Sequence, residues 1–314
     1  MADSTVISVK GLTRKFGTLT AVDRISFEVF RGEIFGFLGP NGAGKTTTMR
    51  MLTGIIEPTS GSAFINGYDI CRDSILAREH IAVVPEQANV YLDFTVWRNM
   101  MLMAELYGIP RERRVVKGEM LLEIMGLEDK RDTKAARLSK GLKQRLMLCA
   151  ALVTEPEVLF LDEPTGGLDV HSARLIRNVL RDLNAEGLTV FLTTHNMAEA
   201  GEICSRVAII KSGRLVAVDT PVNLKSTMRR NRYVEAVFNG NVPTGDELGS
   251  IPGMIRFEVD GMKLRLFSEH PGKAAAALAS MAAVSGYELM GINTCEPTFE
   301  DVFLFYTSEK GRRK

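Results

Sequence analysis

Long apolar runs, paired cysteines and excess charge are all missing from this chain of 314 residues. No apolar run reaches the roughly 18 residues that a membrane-spanning helix needs, and the first residues lack the apolar core of a signal peptide. The four cysteines are far apart and show no C-x-x-C spacing, which favours reduced thiols over a disulfide framework or a zinc site. A net charge of +1 leaves no excess of basic side chains for a nucleic acid, so we expect no nucleic-acid partner.

One short segment carries the spacing G-x-x-x-x-G-K-[ST] of a phosphate-binding loop. An apolar run at Ile34 to Leu38 predicts a buried strand before it, and Thr47 to Thr53 predicts a helix after it. The N-terminus of such a helix faces and stabilises a bound anion. The residues expected to bind the phosphates of a nucleotide are Gly39, Pro40, Asn41, Gly42, Ala43, Gly44, Lys45, Thr46 and Thr47.

Two carboxylates and a histidine follow apolar runs that are typical of central parallel strands. Asp162 and Glu163 end the first run, and His195 follows the second run, Thr189 to Thr193. By analogy with other phosphate-loop ATPases, Asp162 and the Thr46 hydroxyl are expected to hold Mg²⁺. Glu163 is the expected general base for the attacking water. His195 is expected to hydrogen-bond the γ-phosphate, because ligands bind at the carboxyl edge of open α/β sheets.

The remaining periodicities predict an α/β chain with several parts. Alternating segments before and after the phosphate loop predict an antiparallel β-layer, and residues from about 95 to 154 have the periodicity of a helical insert. Beyond about residue 225 the pattern changes to strands, a hairpin at Asp260-Gly261 and two helices. We therefore predict a nucleotide-binding domain at 1–225 and a small α+β accessory domain at 226–314.

The order of the motifs resembles that of an ABC-transporter ATPase subunit over residues 5 to 225. The resemblance implies the mixed sheet, antiparallel β-layer and helical insert of that nucleotide-binding domain. It also implies that two copies face each other head to tail, each closing over the ATP of the other. The segments that carry it, besides the phosphate loop, are Leu138 to Arg145, Leu161 to Pro164, Gly167 to Asp169, and Thr194-His195.

The resemblance also assigns residues outside the phosphate loop. Ser139 and the Gly141 backbone are expected to contact the γ-phosphate in the partner copy, and Asp169 is expected to align hydrolytic groups across the interface. Phe16 matches the position whose ring stacks on adenine, with a core phenylalanine as the alternative. The family's coupling residue, which also approaches the metal, is Glu86 in a strict register and Gln87 after a shift of one residue; we favour Gln87.

Two positions depart from the family's signature segment. Lys140 and Leu142 replace residues that are usually Gly and Gln. Lys140 adds a cation that could compensate electrostatically near the triphosphate, whereas Leu142 loses a polar contact.

The C-terminal end of the chain is similar to that of ABC ATPases in the multidrug-efflux subgroup. Members of that subgroup pair with a separate integral membrane permease. The resemblance implies an ATPase that binds ATP and Mg²⁺, forms an ATP-dependent homodimer and powers export. Its location would be cytoplasmic, on the inner face of the membrane through the permease only. The alternative is a soluble ABC ATPase acting as a conformational switch on ribosomes or nucleic acid.

Overall fold

The computed structural model describes residues 4–87, 89–227 and 232–307. The chain divides into two compact units, Met1–Thr220 and Pro221–Lys314. The sequence prediction put the boundary after residue 225. The boundary in the structure lies before the short helix Pro221–Ser226, whereas the predicted boundary falls within that helix.

The first unit contains two sheets. One is antiparallel with the order β2-β1-β4-β5, and the other has six strands in the order β10-β9-β3-β8-β7-β6. Neighbours in the larger sheet are parallel except β10 and β9. The strands are β1 (Thr5–Phe16), β2 (Leu19–Phe30), β3 (Ile34–Leu38), β4 (Ser60–Ile65), β5 (Tyr68–Asp69), β6 (Ile81–Val84), β7 (Val158–Asp162), β8 (Thr189–Thr194), β9 (Arg206–Lys211) and β10 (Arg214–Asp219).

The core of the first unit lies between these sheets. Phe27 of the antiparallel sheet stacks on Phe35 of β3, with ring centroids 5.5 Å apart. Phe37, Phe160 and Phe191 continue the cluster. Strands β3, β7 and β8 are buried along their whole length, as expected of parallel strands covered on both faces. Their carboxyl ends therefore meet at one protected edge, where ligands bind in such sheets.

Helices cover the larger sheet and form the predicted insert. Met100 and Met125, both in the insert, are fully buried, so these methionines fill a core. Short 3₁₀ turns lie at Glu128–Lys130 and Ala135–Arg137. The α-helices of this unit are α1 (Lys45–Leu52), α2 (Ser74–Glu79), α3 (Val96–Leu106), α4 (Arg111–Ile124), α5 (Lys140–Leu152), α6 (Val170–Ala185) and α7 (Met197–Ile203).

The second unit is an antiparallel sheet with the order β12-β13-β11-β14. Helix α10 packs on one face of it, over buried Val234, Leu264 and Leu266. The hairpin predicted at Asp260-Gly261 joins β12 to β13. The elements are α8 (Pro221–Ser226), β11 (Tyr233–Phe238), α9 (Gly245–Leu248), β12 (Met254–Asp260), β13 (Lys263–Ser268), α10 (Pro271–Ser285), β14 (Leu289–Cys295) and α11 (Phe299–Thr307).

The predicted α/β fold with an antiparallel β-layer and a helical insert is confirmed. Within the described ranges, no helix combines the length and the apolar character needed to cross a membrane.

Candidate functional site

The phosphate loop joins β3 to α1 at the protected sheet edge. Helix α1 begins at Lys45 and not at Thr47, because Gly44 caps it in the left-handed region with φ +110°. A Cβ atom on Gly44 would lie 2.7 Å from the Ala21 carbonyl oxygen, so both the conformation and the space require glycine here. The free N–H groups of the first helical turn therefore begin at Lys45.

The Lys45 ammonium is held under the loop. Its Nζ donates to the Gly39 carbonyl at 2.8 Å and to the Pro40 carbonyl at 3.4 Å. The side chain is buried and Nζ lies 3.5 Å from Glu163 Oε1. A cation so placed is oriented toward the cavity beside the loop, which has a volume of about 210 Å³. The cavity is lined by Pro40, Asn41, Gly42, Gly44, Lys45, Thr46, Thr47, Glu86, Glu163 and His195.

The side chains of Thr46 and Asp162 lie together at the protected carboxyl edge of the larger sheet. Thr46 Oγ1 donates to Asp162 Oδ2 at 3.2 Å, and the Thr193 hydroxyl donates to the other carboxylate oxygen and orients it. A hydroxyl and a carboxylate are hard oxygen donors of the kind that Mg²⁺ takes alongside phosphate oxygens and water. These two side chains therefore fit the predicted metal.

Glu163 has a strained backbone and a restrained side chain. Its φ of +49° is uncommon for a residue other than glycine, and its N–H donates to the Thr193 carbonyl at 3.0 Å. The His195 ring nitrogen Nδ1 lies 2.9 Å from Glu163 Oε2, and the His195 backbone N–H donates to the same oxygen at 3.3 Å. Such strain persists where the surrounding structure enforces it, often at active sites. The arrangement holds one carboxylate beside the cavity and beside Lys45.

The signature residues lie apart from the cavity within one chain. Ser139 caps α5, accepting from the Leu142 N–H at 3.3 Å, and is exposed. Gly141 packs against α6, where a Cβ atom would lie 2.6 Å from Ser172 Oγ. Lys140 Nζ donates to the Gly166 carbonyl at 2.9 Å. Within its own chain Lys140 thus contacts a neighbouring loop, and its place near a triphosphate stays a prediction.

Asp169 begins α6 and does not line the cavity either. Its Oδ1 accepts from the Ser172 N–H at 2.8 Å. This backbone hydrogen bond lowers the pKa of the Asp169 carboxyl below its ordinary value. Asp169 is therefore a helix N-cap in addition to its predicted role across an interface.

Phe16 ends β1 and is 46% exposed. The Arg14 guanidinium lies 4.6 Å from its ring centroid. The alternative of a core phenylalanine is wrong because half of the ring is free of protein contacts. Stacking on adenine remains a prediction.

Glu86 and Gln87, the two candidates for the coupling residue, lie in the loop after β6. Glu86 lines the cavity with Lys45 and Thr46, whereas Gln87 does not. The strict register thus has the residue that lines the cavity, and the choice of Gln87 as the coupling residue stays a prediction.

Glu199 was missed by the sequence analysis and links two catalytic loops. It is 2% exposed, and its two oxygens accept from the hydroxyls of Thr165 at 2.7 Å and Thr194 at 3.0 Å. Thr165 follows Glu163 closely and Thr194 precedes His195. Burial raises the pKa of the Glu199 carboxyl, opposed by these hydroxyls. The available sequence signal was Asn196 three residues earlier, whose side chain caps α7 by accepting from the Glu199 N–H.

We expect Glu199→Ala to lower the free energy of unfolding by about 2–3 kcal/mol, because two buried hydroxyls lose their acceptor. Glu199→Gln tests how the charge of the Glu199 carboxylate affects the free energy of unfolding. Since the folded pKa lies above the unfolded one, wild-type stability relative to this variant falls as pH rises through the folded pKa. Urea unfolding from pH 4, below the ordinary pKa of a glutamate, up to pH 7 measures both effects. A difference that is independent of pH, or that grows in favour of wild type as pH rises, would contradict the account.

Comparisons with known proteins identify the family of this chain. The ABC transporter family profile matches residues 22–166. The Nod factor export ATP-binding protein I of Ralstonia nicotianae is 37% identical over 307 residues, 98% of this chain and 95% of that protein. This chain belongs to the ABC transporter family. Its predicted place there, as an ATP-hydrolysing, ATP-binding subunit of exporter type, is confirmed.

Other family members extend the comparison. The linearmycin resistance ATP-binding protein LnrL of Bacillus subtilis is 30% identical over 306 residues, 96% of this chain and 98% of that protein. A solved ATP-binding subunit of an ABC transporter has a TM-score of 0.67 and 30% identity, covering 71% of this chain and 93% of that one. The likeness to whole curated relatives therefore includes the second unit, which the solved subunit leaves largely uncovered.

Proposed function

We propose that this ABC subunit powers export through a separate integral membrane permease, the ATPase units of two copies closing on each other when ATP is bound and reopening after hydrolysis. The names of two relatives, one for Nod factor export and one for linearmycin resistance, support export as the direction. The cargo would be read by the permease. The subunit would lie at the cytoplasmic face of the membrane, where ATP is available.

The site residues have distinct tasks in this proposal. The loop N–H groups and Lys45 bind the phosphates, and Thr46 with Asp162 would hold Mg²⁺. The metal, when bound, neutralises phosphate charge. Glu163 accepts a proton from the attacking water, and His195 hydrogen-bonds the γ-phosphate while its contact with Glu163 orients both groups. The observation that carries the assignment is the convergence of Lys45, Glu163 and His195 on one cavity.

A second copy would complete each site. Ser139 caps the start of α5 by accepting from the Leu142 N–H, while the N–H groups of Lys140 and Gly141 have no intrahelical acceptor, so that helix end is an anion site. It is exposed and lies outside the cavity of its own chain. Docking this helix end onto the γ-phosphate of a partner supplies charge stabilisation that one chain lacks. ATP thereby holds the two copies together until it is hydrolysed.

A groove next to the ATP cavity is the proposed contact for the permease. It has a volume of about 430 Å³ and is lined by apolar and aromatic side chains, Tyr91, Met103, Leu106 and Tyr107 among them. Pro85 lines this groove, while its neighbour Glu86 lines the ATP cavity. A helical segment of the permease seated there would sense the loop that faces the nucleotide.

The test pairs two exposed apolar positions. Leu106 lies in the groove and is 67% exposed, whereas Val116 of α4 lies outside it and is 72% exposed. We expect Leu106→Glu to release the chain from membranes and from an integral membrane protein with which it co-purifies, while ATP hydrolysis by the isolated subunit is retained. Val116→Glu should leave both unchanged. Recovery of the wild-type chain with ribosomes or DNA instead of membranes would contradict the proposal.

A further inference from the structure

The second unit has an open sheet edge with an apolar character. Strand β12 is the outermost strand, paired on one side with β13. Its Ile255, Phe257 and Val259 are 48%, 37% and 49% exposed. In the described part of the chain no strand pairs with its outer side. A long apolar edge with unpaired backbone groups is a template for pairing with another strand.

The hairpin geometry determines which backbone groups of β12 point outward. Asp260 and Lys263 are partners across the turn. Gly261 occupies the first central position of this turn and has φ +57°, as a type II′ turn requires. The closing pair of such a turn exchanges hydrogen bonds, and bonded pairs alternate along an antiparallel ladder. The N–H and C=O groups of Phe257 and Val259 are therefore directed away from β13.

The charges of β12 are arranged symmetrically about Phe257. Arg256 precedes it and Glu258 follows it, on the opposite face from the apolar side chains. The two charged side chains form an ion pair within the strand and are both about half exposed. The Arg256 guanidinium also lies 3.5 Å from the Phe267 ring centroid. Strand β12 contains no proline and no lysine, and although its register with β13 shifts between Met254 and Arg256, pairing is regular from Arg256 to Asp260.

We propose that β12 pairs antiparallel with β12 of a second copy about a two-fold axis through Phe257. In this register Phe257 faces its own symmetry mate, and Ile255 faces Val259 of the second copy. Arg256 then faces Glu258 of the second copy, and Glu258 faces Arg256. Each contact off the axis occurs twice, as an isologous interface requires, and the outward groups of Phe257 are in register for a bonded pair on the axis.

The charge pattern is what selects a second copy as the occupant. An antiparallel strand of another sequence would need its own acidic residue opposite Arg256 and its own basic residue opposite Glu258. The strand β12 supplies both by symmetry. Opposite charges directly across a ladder are stabilising and like charges are destabilising. This contact goes beyond the proposed function, because it needs no nucleotide.

Charge exchange tests the pairing in the full chain without nucleotide. We expect the wild type to dimerise in sedimentation velocity, and Arg256→Glu or Glu258→Arg to raise its dimer dissociation constant at least about tenfold, since two contacts become repulsive. Mixing the two single variants restores complementary pairs, so the heterodimer should form with near wild-type affinity. A monomeric wild type, single variants that still dimerise, or a mixture without heterodimers would overturn the proposal.

A cysteine at the axis gives a readout that does not depend on charge. In a Cys71→Ser background, which removes an exposed native thiol, Phe257→Cys should form an intermolecular disulfide on mild oxidation. The Cα atoms of a bonded antiparallel pair lie about 5.5 Å apart, within the range for a disulfide. Met262→Cys, at the hairpin turn and exposed, should form no intermolecular disulfide, because symmetry-related copies of residue 262 lie roughly 30 Å apart. Equal cross-linking of both variants would contradict the register.

Discussion

Glu163→Gln is expected to lower the turnover of ATP by about 10²–10⁴-fold, the range of a lost general base. Glutamine keeps the size of the side chain and a contact for His195, but its amide accepts no proton from the attacking water. ATP binding should persist because Lys45 and the loop N–H groups are unchanged. Steady-state phosphate release measures the loss.

Glu157→Gln is the matched control for this change. Glu157 precedes β7, the same strand that Glu163 follows, and it pairs with Arg31 and His80 away from the cavity. Its loss should leave turnover within about twofold because Glu157 lies away from the cavity, and it should change stability by at most about 1 kcal/mol, as surface ion pairs contribute little. Equal losses of turnover in both variants would argue against a catalytic carboxylate at Glu163. Full turnover by Glu163→Gln would exclude it as the base.

Lys45→Ala is expected to weaken ATP binding about 10- to 150-fold, since a hydrogen bond to a charged group contributes about 1.5–3 kcal/mol. The buried ammonium also balances Glu163 at 3.5 Å, so its removal leaves two negative groups facing each other when ATP binds. Titration of a fluorescent ATP analogue measures the dissociation constant. Arg50→Ala, an exposed cation at the other end of α1, should bind nucleotide as wild type does. Unchanged affinity of the Lys45 variant would contradict the assignment.

Much of the central sheet followed directly from local pattern. The apolar run Ile34–Leu38 is a strand with those bounds, because a strand buried on both faces must be apolar throughout. The start of α1 did not follow, since Gly44 is left-handed and lets the helix begin at Lys45. Residue spacing located the phosphate loop, but the loop's conformation decided the helix boundary.

Contacts between distant segments were beyond local pattern. Glu199 bonds to Thr165, far from it in the chain, and nothing in a single sequence relates their positions. Glu86 and Gln87 are chemically plausible alternatives side by side, and only the direction of each side chain separates them. Lys140 has the charge expected of an anion ligand, yet it is bound to the Gly166 carbonyl.

The central claim is that each ATP site is built from two copies, and a mixing experiment tests it most directly. Lys45→Ala removes the phosphate-loop cation, whereas Ser139→Asp keeps a good helix cap and places a negative charge where the partner's γ-phosphate would lie. Each variant alone is expected to be inactive. Mixed in equal amounts, half of the dimers contain both variants, and each of these has one intact composite site. The account predicts recovery of about a quarter of wild-type hydrolysis if the intact site works alone. A mixture as inactive as its components, or an active Ser139→Asp homodimer, would contradict it.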